Sequence, residues 1–311
     1  MAELPLVFPS VERERLEPHL PPILADTKED GEATPERPFV TLTFATSLDS
    51  ALSLGPGIRT ALSGPQSKAM THYLRSRHDA ICVGVGTAIA DDPGLNCRLA
   101  AESPDLETSP NASTASVGAL LGLASLPTGE SAAKETNHSY IEHQPRPIVI
   151  DPNMRWNFTS ESKVMRLARA GRGLAPYIIT SRLNPPKEQE KLLEELGGKY
   201  IHASDIGFEQ SKRFNWRTIL DIIRLQGLRS IMIEGGGEVI NSLLSQDNAG
   251  LIDSVIVTVA PTWLGQGSVF VSPPRKTSPD SKPKAVARLT DTTWITLGED
   301  VVLCGKITPQ E

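Results

Sequence analysis

Apolar positions along the chain follow two alternating patterns. Short runs rich in β-branched residues predict buried strands, and longer stretches with apolar residues at helical spacing predict amphipathic helices. The predicted strands span residues 39–44, 80–85, 146–150, 176–180, 199–203, 230–233 and 254–259. The predicted helices span residues 65–77, 186–196, 215–226 and 238–244. Strands that alternate with helices predict an α/β fold with a mostly parallel central sheet flanked by helices.

Local signals indicate where some of these elements begin and end. Asn215 suits the N-cap of the helix that follows it, and Gly227 suits the end of that helix. Residues 285–306 predict two further strands joined at Gly298-Glu299-Asp300, a turn typical of a hairpin. We therefore expect an antiparallel C-terminal hairpin at one edge of the sheet.

Two segments interrupt the pattern. Prolines and charges dominate residues 1–36, which we expect to form an N-terminal extension, either a mobile tail or an arm packed on the domain or on a partner subunit. Residues 37–311 are expected to form one domain. Within it, residues from about 101 to 144 are rich in Ser, Thr, Ala, Pro, Gly and Glu, which predicts a low-complexity surface insertion. Val117–Leu123 has the apolar content of a short helix.

Composition excludes several classes of protein. The net charge of −6 in 311 residues argues against a nucleic-acid partner, because binding phosphates along a backbone needs a basic face. Three scattered cysteines, Cys82, Cys97 and Cys304, cannot form a disulfide framework or a cysteine-rich zinc site. No apolar run is long enough to span a membrane, and the N-terminus lacks a signal-peptide pattern. We expect a cytoplasmic protein without a metal centre or a membrane partner.

Small and polar residues follow the predicted strands. Ligands of open α/β sheets bind outside the carboxyl ends of the strands, so these residues define the expected site. The most informative run is Gly235-Gly236-Gly237, which joins a buried strand to the start of a helix. Glycines there let backbone amides approach a phosphate, although a tight turn without a ligand has the same pattern. Gly84 and Gly86 do not complete a G-x-G-x-x-G motif, which argues against a Rossmann dehydrogenase.

Five motifs, in order along the chain, resemble those of the riboflavin-pathway reductases. They are PFVTLTFATSLDSALS from Pro38, SRHDAICVGVGTAIADDPGLNCR from Ser76, RPIVID from Arg146, IMIEGGGEVINSLL from Ile231 and LIDSVIVTVAPTWLGQG from Leu251. Together they cover most of the chain from Arg37 to Gly267. The resemblance implies a dihydrofolate-reductase-like fold, NADPH as the cofactor and a homodimer.

The zinc deaminase module that some members carry needs His-x-Glu and Pro-Cys-x-x-Cys, and the sequence contains neither. The resemblance is therefore to the stand-alone reductases of fungi and archaea. It implies that 2,5-diamino-6-(ribosylamino)-4(3H)-pyrimidinone 5′-phosphate is reduced to the ribitylamino product by hydride transfer to the ribose anomeric carbon. The nearest alternative is a dihydrofolate reductase relative acting on a pteridine, and the next is a catalytically silent nucleotide-binding protein.

The resemblance also implies the site residues. Those that fall where the family contacts NADP are Thr46, Thr87, Asp91, Glu234, Gly235, Gly236, Gly237 and Glu238. Those that fall where it contacts substrate are Arg75, Leu95, Arg98 and Glu234. The family's usual glycine after Ser-Leu-Asp is Ser50 in this chain.

Chemistry suggests a role for several of these residues. The hydroxyls of Thr46 and Thr87 suit the nicotinamide amide, and Asp91 suits either a cofactor ribose or a cap on a helical turn beginning near Thr87. The two arginines suit the substrate phosphate, since a guanidinium matches phosphate geometry. Glu234 suits the amidine-like edge of the pyrimidinone, or the dipole of the helix that follows it.

Two assignments rest on position or stay open. Arg182 follows the fourth strand, where a cation would meet the 2′-phosphate of NADPH. Asp49 and Asp151 each suit a turn. His72 and His78 flank the first helix of the domain and are expected to be surface or core residues, so the catalytic proton donor is unassigned.

Overall fold

The computed structural model describes most of the chain. The described residues are 6–23, 36–100, 143–203, 215–275 and 285–309. Nearly all of the expected insertion, including its short helix at Val117–Leu123, lies outside them. In the part of the chain that the structure describes, no helix has the length and apolar character of a membrane span.

The described residues form strands and helices that alternate along the chain. The strands are β1 (Phe39–Thr46), β2 (Ala51–Ser53), β3 (Ala80–Gly84), β4 (Arg146–Ile150), β5 (Tyr177–Thr180), β6 (Lys199–His202), β7 (Ser230–Ile233), β8 (Ser254–Val259), β9 (Val269–Phe270), β10 (Ala287–Leu297) and β11 (Asp300–Pro309). The helices are α1 (Ser10–Leu16), α2 (Pro65–Ser76), α3 (Val85–Asp91), α4 (Lys163–Arg169), α5 (Lys187–Glu195), α6 (Trp216–Leu225) and α7 (Gly237–Leu243). Every strand and helix predicted within the described residues is present, within a few residues of its predicted ends.

Nine of these eleven strands form one sheet in the order β10-β11-β8-β1-β7-β3-β4-β5-β6. All neighbours from β8 to β6 run parallel, whereas β11 runs antiparallel to both β8 and β10. The predicted parallel sheet and its antiparallel C-terminal hairpin are therefore confirmed. A separate antiparallel ribbon pairs β2 with β9.

Alternation along the strands directs side chains to two apolar layers. In β3, Ala80 and Cys82 face a cluster that includes buried residues of α6 and α7. Ile81 and Val83, between them, face an opposite cluster that includes residues of α4 and α5. The helices thus cover both faces of the sheet and direct the polar loops to its edges.

Two predicted helix boundaries have the expected physical basis. The Asn215 side chain accepts a hydrogen bond from the amide of Arg217, and so caps the first turn of α6. Gly227, just beyond the end of α6, has a φ of +77°, a conformation that disfavours any residue with a Cβ.

The N-terminal arm, residues 6–20, packs on the domain. Phe8, Leu16 and Leu20 are buried in one cluster with residues of α2, β10 and β11. Of the two alternatives for the extension, a tail and a packed arm, the structure shows the packed arm for these residues. The boundary expected at residue 37 therefore marks a change in the sequence pattern, whereas the arm and the domain share one packed cluster.

Candidate active site

The glycine loop, Gly235–Gly237, joins β7 to α7 at the carboxyl edge of the sheet. A Cβ on Gly235 would lie 2.3 Å from Cγ1 of Val239, and a Cβ on Gly237 would lie 2.5 Å from Cγ1 of Val269. Both contacts are too close for a real Cβ, so protein packing alone requires glycine at these two positions.

Gly236 differs from its two neighbours. Its φ of −73° and ψ of 179° are open to any residue, so backbone conformation does not require glycine there. The nearest atom to an added Cβ is Oγ1 of Thr87, at 3.1 Å. The backbone of Gly236 and the hydroxyl of Thr87 therefore border a small space, which we call the cradle. A Cβ at residue 236 would narrow that space.

Thr87 reaches this loop from the first turn of α3. The helix begins at Val85, directly after β3 and two residues before Thr87, so the helical turn expected near Thr87 is present. Asp91 is the last residue of α3, and the expectation that it caps the helix start is wrong, because its carboxylate lies at the other end. Burial raises the pKa of Asp91, and the charge of Arg59 opposes that shift.

The β2–β9 ribbon forms a wall over the glycine loop. Val269 in β9 contacts Gly237, and Asn241 of α7 donates to the carbonyl of Phe270 at 2.9 Å. The Asn241 amide oxygen also accepts from the amide of Ser272 at 2.7 Å. One polar side chain of α7 therefore ties the ribbon to the helix that begins at the loop.

A charged cluster lies directly beside the glycine loop and consists of Arg75, Glu234, Arg98 and His72. Within it, Arg75 and Glu234 form a two-pronged ion pair, with Nε to Oε1 at 3.0 Å and Nη2 to Oε2 at 2.8 Å. The two side chains are only 14% and 19% exposed. Arg75 also donates from Nη1 to the carbonyl of Asn96 at 3.1 Å. The geometry thus brings together two residues predicted separately.

Arg98 and His72 form the other half of the charged cluster. The amide of Arg98 donates to Nδ1 of His72 at 3.1 Å, and the Arg98 guanidinium lies 3.2 Å from Nε2. Burial, with the charges of Arg75 and Arg98, lowers the pKa of His72 to about 2. His72 is therefore a neutral ring beside the guanidinium of Arg98.

The loop between α3 and the cluster is held by residues that sequence reasoning did not single out. The Asp92 carboxylate accepts from the first amide of α4, that of Lys163, at 3.0 Å. The Asn96 side chain donates to the carbonyl of Arg172 at 2.8 Å. Leu95 is 1% exposed, and its side chain packs in a core cluster with residues of α4 and β4. Asp92 could have been identified through α4, whose first amide it binds, but the hydrophobic periodicity of the sequence did not predict that helix.

Thr46 and Asp49 lie at the carboxyl end of β1. The Thr46 hydroxyl is buried and donates to the carbonyl of Ser47 at 3.1 Å. A hydrogen bond from the Ser47 hydroxyl, helped by the amides of Gly265 and Leu264, lowers the pKa of Asp49 to about 2. Asp49 thus links the loop after β1 to the loop after β8 by hydrogen bonds, which agrees with the stabilisation of a turn expected for it.

Ser50 occupies a left-handed conformation, with a φ of +61°. A residue with a Cβ is disfavoured there, which gives a physical reason for the glycine that usually stands at this position in the resembling family. The structure retains the turn in spite of the serine, since the amide of Ser50 donates to the carbonyl of Ser47 at 3.0 Å.

The remaining predicted residues lie farther from the glycine loop or on its outer side. Arg182 follows β5, two strands beyond β3, and donates to Oδ1 of Asn153 at 3.3 Å. Glu238 is exposed in the first turn of α7, so only its amide suits an anion. The Asp151 carboxylate accepts from the amides of Arg155 and Trp156, which assigns it to a turn.

Comparison with known proteins gives a consistent result. A family model described as the RibD C-terminal domain matches residues 38–303. The 2,5-diamino-6-ribosylamino-4(3H)-pyrimidinone 5′-phosphate reductase of Candida glabrata is 36% identical over 294 residues, which cover 94% of this chain and 98% of that protein. The protein of the same name from Saccharomyces cerevisiae is 34% identical over 271 residues, 87% of each chain.

Solved structures agree with the sequence comparison. The riboflavin biosynthesis reductase Rib7 of Saccharomyces cerevisiae superimposes with a TM-score of 0.64 at 29% identity. That alignment covers 96% of this chain and 99% of the other. The similarity thus extends over the sheet, the glycine loop and the C-terminal hairpin.

Proposed function

Since the chain belongs to the family of the RibD C-terminal domain, we propose that it reduces 2,5-diamino-6-(ribosylamino)-4(3H)-pyrimidinone 5′-phosphate in riboflavin biosynthesis. The chain is an oxidoreductase with the dihydrofolate-reductase-like fold of that family. The observation that carries the proposal is the match to fungal reductases of this name along 87% or more of their length.

The reductase family implies a nicotinamide cofactor, and we propose NADPH. The residues fit such a group, because the open backbone at Gly236 and the Thr87 hydroxyl form a cradle that a Cβ would narrow. Gly236, Gly237 and the first-turn amides of α7 would hold the pyrophosphate, and Thr46, Thr87 and Asp91 would hold the sugar and amide groups. When bound, NADPH supplies the hydride.

The charged cluster would hold the substrate. Each Glu234 oxygen keeps a lone pair beyond its bond to Arg75, which suits the two N–H groups of an aminopyrimidinone. Arg75 is engaged with Glu234 and Asn96, so its main task is to orient that carboxylate. Arg98 is proposed to meet the 5′-phosphate, as the resemblance to the family implies.

Proton delivery needs a separate source. A pKa of about 2 keeps His72 neutral at physiological pH, so it is not the acid that protonates the departing ring oxygen. His78 is fully buried, bonded to Thr41 at 2.7 Å, and burial lowers its pKa to about 4. We assign no proton donor to the described residues; water or the substrate can serve.

A spectrophotometric assay tests the function directly. Purified protein, NADPH and the ribosylaminopyrimidine phosphate should give loss of NADPH absorbance, and a dihydropterin substrate should give none. Reaction with a pteridine alone would favour the alternative dihydrofolate-reductase activity. No cofactor binding, measured by NADPH fluorescence, would favour a silent protein and contradict the proposal. A homodimer and a cytoplasmic location are part of the same proposal, testable by light scattering and by imaging.

The choice of NADPH over NADH is proposed to depend on Arg182. Its guanidinium is exposed and donates to Oδ1 of Asn153 at 3.3 Å, a long hydrogen bond that a phosphate at this edge would replace. Arg182→Ala should raise the KM for NADPH about tenfold and leave the KM for NADH within twofold. Arg155→Ala, another arginine of the same edge, is the control. Equal effects of Arg182→Ala on both cofactors would remove this assignment.

A further inference from the structure

The N-terminal arm touches the segment that carries Arg98. The amide of Leu6 donates to the carbonyl of Arg98 at 2.9 Å, and the amide of Ala100 donates to the carbonyl of Leu6 at 2.9 Å. These bonds make a parallel bridge between Leu6 and Leu99, which is fully buried. The arm therefore adds a short strand to residues 98–100, outside the main sheet.

The N-terminal arm also packs against the outer side of α2. The ring of Phe8 lies 5.4 Å from that of Tyr73, and Phe8 is 1% exposed. The Glu17 carboxylate accepts hydrogen bonds from the Tyr73 hydroxyl and from the guanidinium of Arg77. The last turn of α2 and the residue that follows it are thus held by the arm through aromatic and charged contacts.

The inner side of α2 carries residues of the charged cluster. His72 and Arg75 are three positions apart in the helix, so they share a face. His72 accepts from the Arg98 amide, and Arg75 holds Glu234. The arm, α2 and residues 98–100 consequently form one packed unit, with the cluster on one side and the arm on the other.

Arg98 is fixed by this unit through both of its backbone groups. Its amide is held by His72 and its carbonyl by Leu6. Two backbone bonds on opposite sides leave little freedom to the residue, so the direction of its guanidinium depends on both. One of the two comes from a segment that the sequence pattern places outside the domain.

We propose that the N-terminal arm is a positioning element of the reductase, and that Leu6 sets the place of Arg98 for the 5′-phosphate of the substrate. The inference rests on the proposed function, because it uses the substrate phosphate. It assigns to residues 6–20 a part in substrate specificity that is separate from the binding of the cofactor. The arm does not touch the glycine loop in any described contact, so cofactor affinity should be independent of it.

The test compares the phosphorylated substrate with its 5′-dephosphorylated form. In Leu6→Pro the donor to the Arg98 carbonyl is lost, since proline has no amide hydrogen. The KM for the phosphorylated substrate should rise about tenfold, a change in binding free energy of about 1.4 kcal/mol. Turnover of the dephosphorylated form and the Kd for NADPH should stay within twofold. Leu6→Ala retains the amide and is the matched control, expected within about twofold of wild type.

Several outcomes would overturn the inference. One is an unchanged preference for the phosphorylated substrate in Leu6→Pro, and another is an equal loss with both substrates, which would indicate general damage. If Leu6→Pro does not fold, Glu17→Gln loosens the arm from Tyr73 and Arg77 and should reduce the same preference by about threefold. A wild-type chain that oxidises NADPH with neither substrate would instead reject the proposed function.

Discussion

Glu234 and Gly235 are adjacent in the chain, yet the charged cluster and the glycine loop on either side of that bond are held by different forces. The loop is shaped by apolar contacts, with Val239 and Val269 pressing on Gly235 and Gly237. The cluster is shaped by hydrogen bonds between ionic groups, of which the Arg75–Glu234 pair is the centre. Close packing therefore determines the shape of the glycine loop, and paired charges determine the shape of the charged cluster.

This difference teaches how each region should respond to change. A region shaped by space tolerates a change of charge nearby, but it does not tolerate an added carbon atom. A region of paired, poorly exposed charges tolerates small changes in volume, but loss of one partner leaves the other without compensation. The following predictions separate the two regions by that criterion.

The largest effect is expected from breaking the ion pair. Arg75→Met leaves the Glu234 carboxylate, 19% exposed, without its counter-ion, which should cost about 3 kcal/mol of unfolding free energy. Substrate kcat/KM should fall more than about a hundredfold, with the Kd for NADPH within a few-fold. Urea unfolding and steady-state kinetics measure the two effects. Lys191→Met, which breaks an exposed pair with Glu195, is the control and should cost less than about 0.5 kcal/mol.

A double substitution sharpens that result. If Arg75→Met and Glu234→Gln together cost clearly less than the sum of their separate effects, the pair is coupled as the geometry indicates. Additive effects would show that the two residues act independently, and the distinction between the regions would be lost.

An added carbon should affect the glycine loop more than the fold. In Gly236→Ala the new Cβ meets the Thr87 hydroxyl at 3.1 Å, while the backbone conformation remains ordinary. NADPH affinity, measured by fluorescence titration, should fall about tenfold, or about 1.4 kcal/mol. Gly250→Ala, where an added Cβ has no atom within 4 Å, should leave affinity unchanged. Equal affinities for the two variants would argue against a cofactor at Gly236.

The charged cluster should also make stability depend on pH. The folded-state pKa of His72 is about 2, well below the ordinary value of 6.5, so the unfolded chain binds a proton there that the folded chain does not. Stability is therefore highest above about pH 6.5 and is lost as the pH falls below it. Between about pH 7.5 and about pH 5.5 the contribution of His72 should fall by about 1 kcal/mol. His72→Gln should flatten the profile by that amount; parallel profiles for both proteins would contradict this.

The smallest effect is expected at a turn beside neither region. Ser50→Gly relieves a φ of +61° and should raise the unfolding free energy by about 0.5 to 1 kcal/mol. Gly57→Ala makes the opposite change at a φ of +72° and should lower stability by a similar amount. Thermal or urea unfolding measures both. A destabilised Ser50→Gly would mean that the serine hydroxyl contributes more than the backbone conformation costs.

Much of the fold could be predicted because it follows from periodicity. Every long strand, the cap at Asn215 and the hairpin turn at Gly298 left a local pattern in the sequence. Short elements were predicted poorly. The sequence indicated only a helical turn near Thr87 where α3 lies, a helix that contains a glycine and lacks a side-chain cap, and it did not indicate α1 or α4. The two- and three-residue strands of the β2–β9 ribbon leave no repeat that a pattern could detect.

The site was predicted in part for the same reason. The glycine loop and its position after β7 are local features, so the sequence indicated them. The bond between Arg75 and Glu234 joins residues that are far apart in the chain, and no local pattern contains it. Leu95 was expected to meet substrate, but the direction of its side chain depends on how the loop packs against α4. Roles that depend on tertiary packing required the structure.

The pairing of β1 has a consequence for how the chain folds. Phe39 pairs with Ser230 and Thr41 with Ser254, so the first strand of the sheet lies between two strands from the last third of the sequence. Contacts this distant in sequence close only after a large loss of chain entropy, which makes folding slow. During synthesis on a ribosome, β1 emerges long before either neighbour, so both of its edges stay unpaired until β7 has emerged, and one edge stays unpaired until β8 has emerged at residue 259. We expect nascent chains that stop before this point to need chaperone protection, and synthesis of the C-terminal third to complete the sheet.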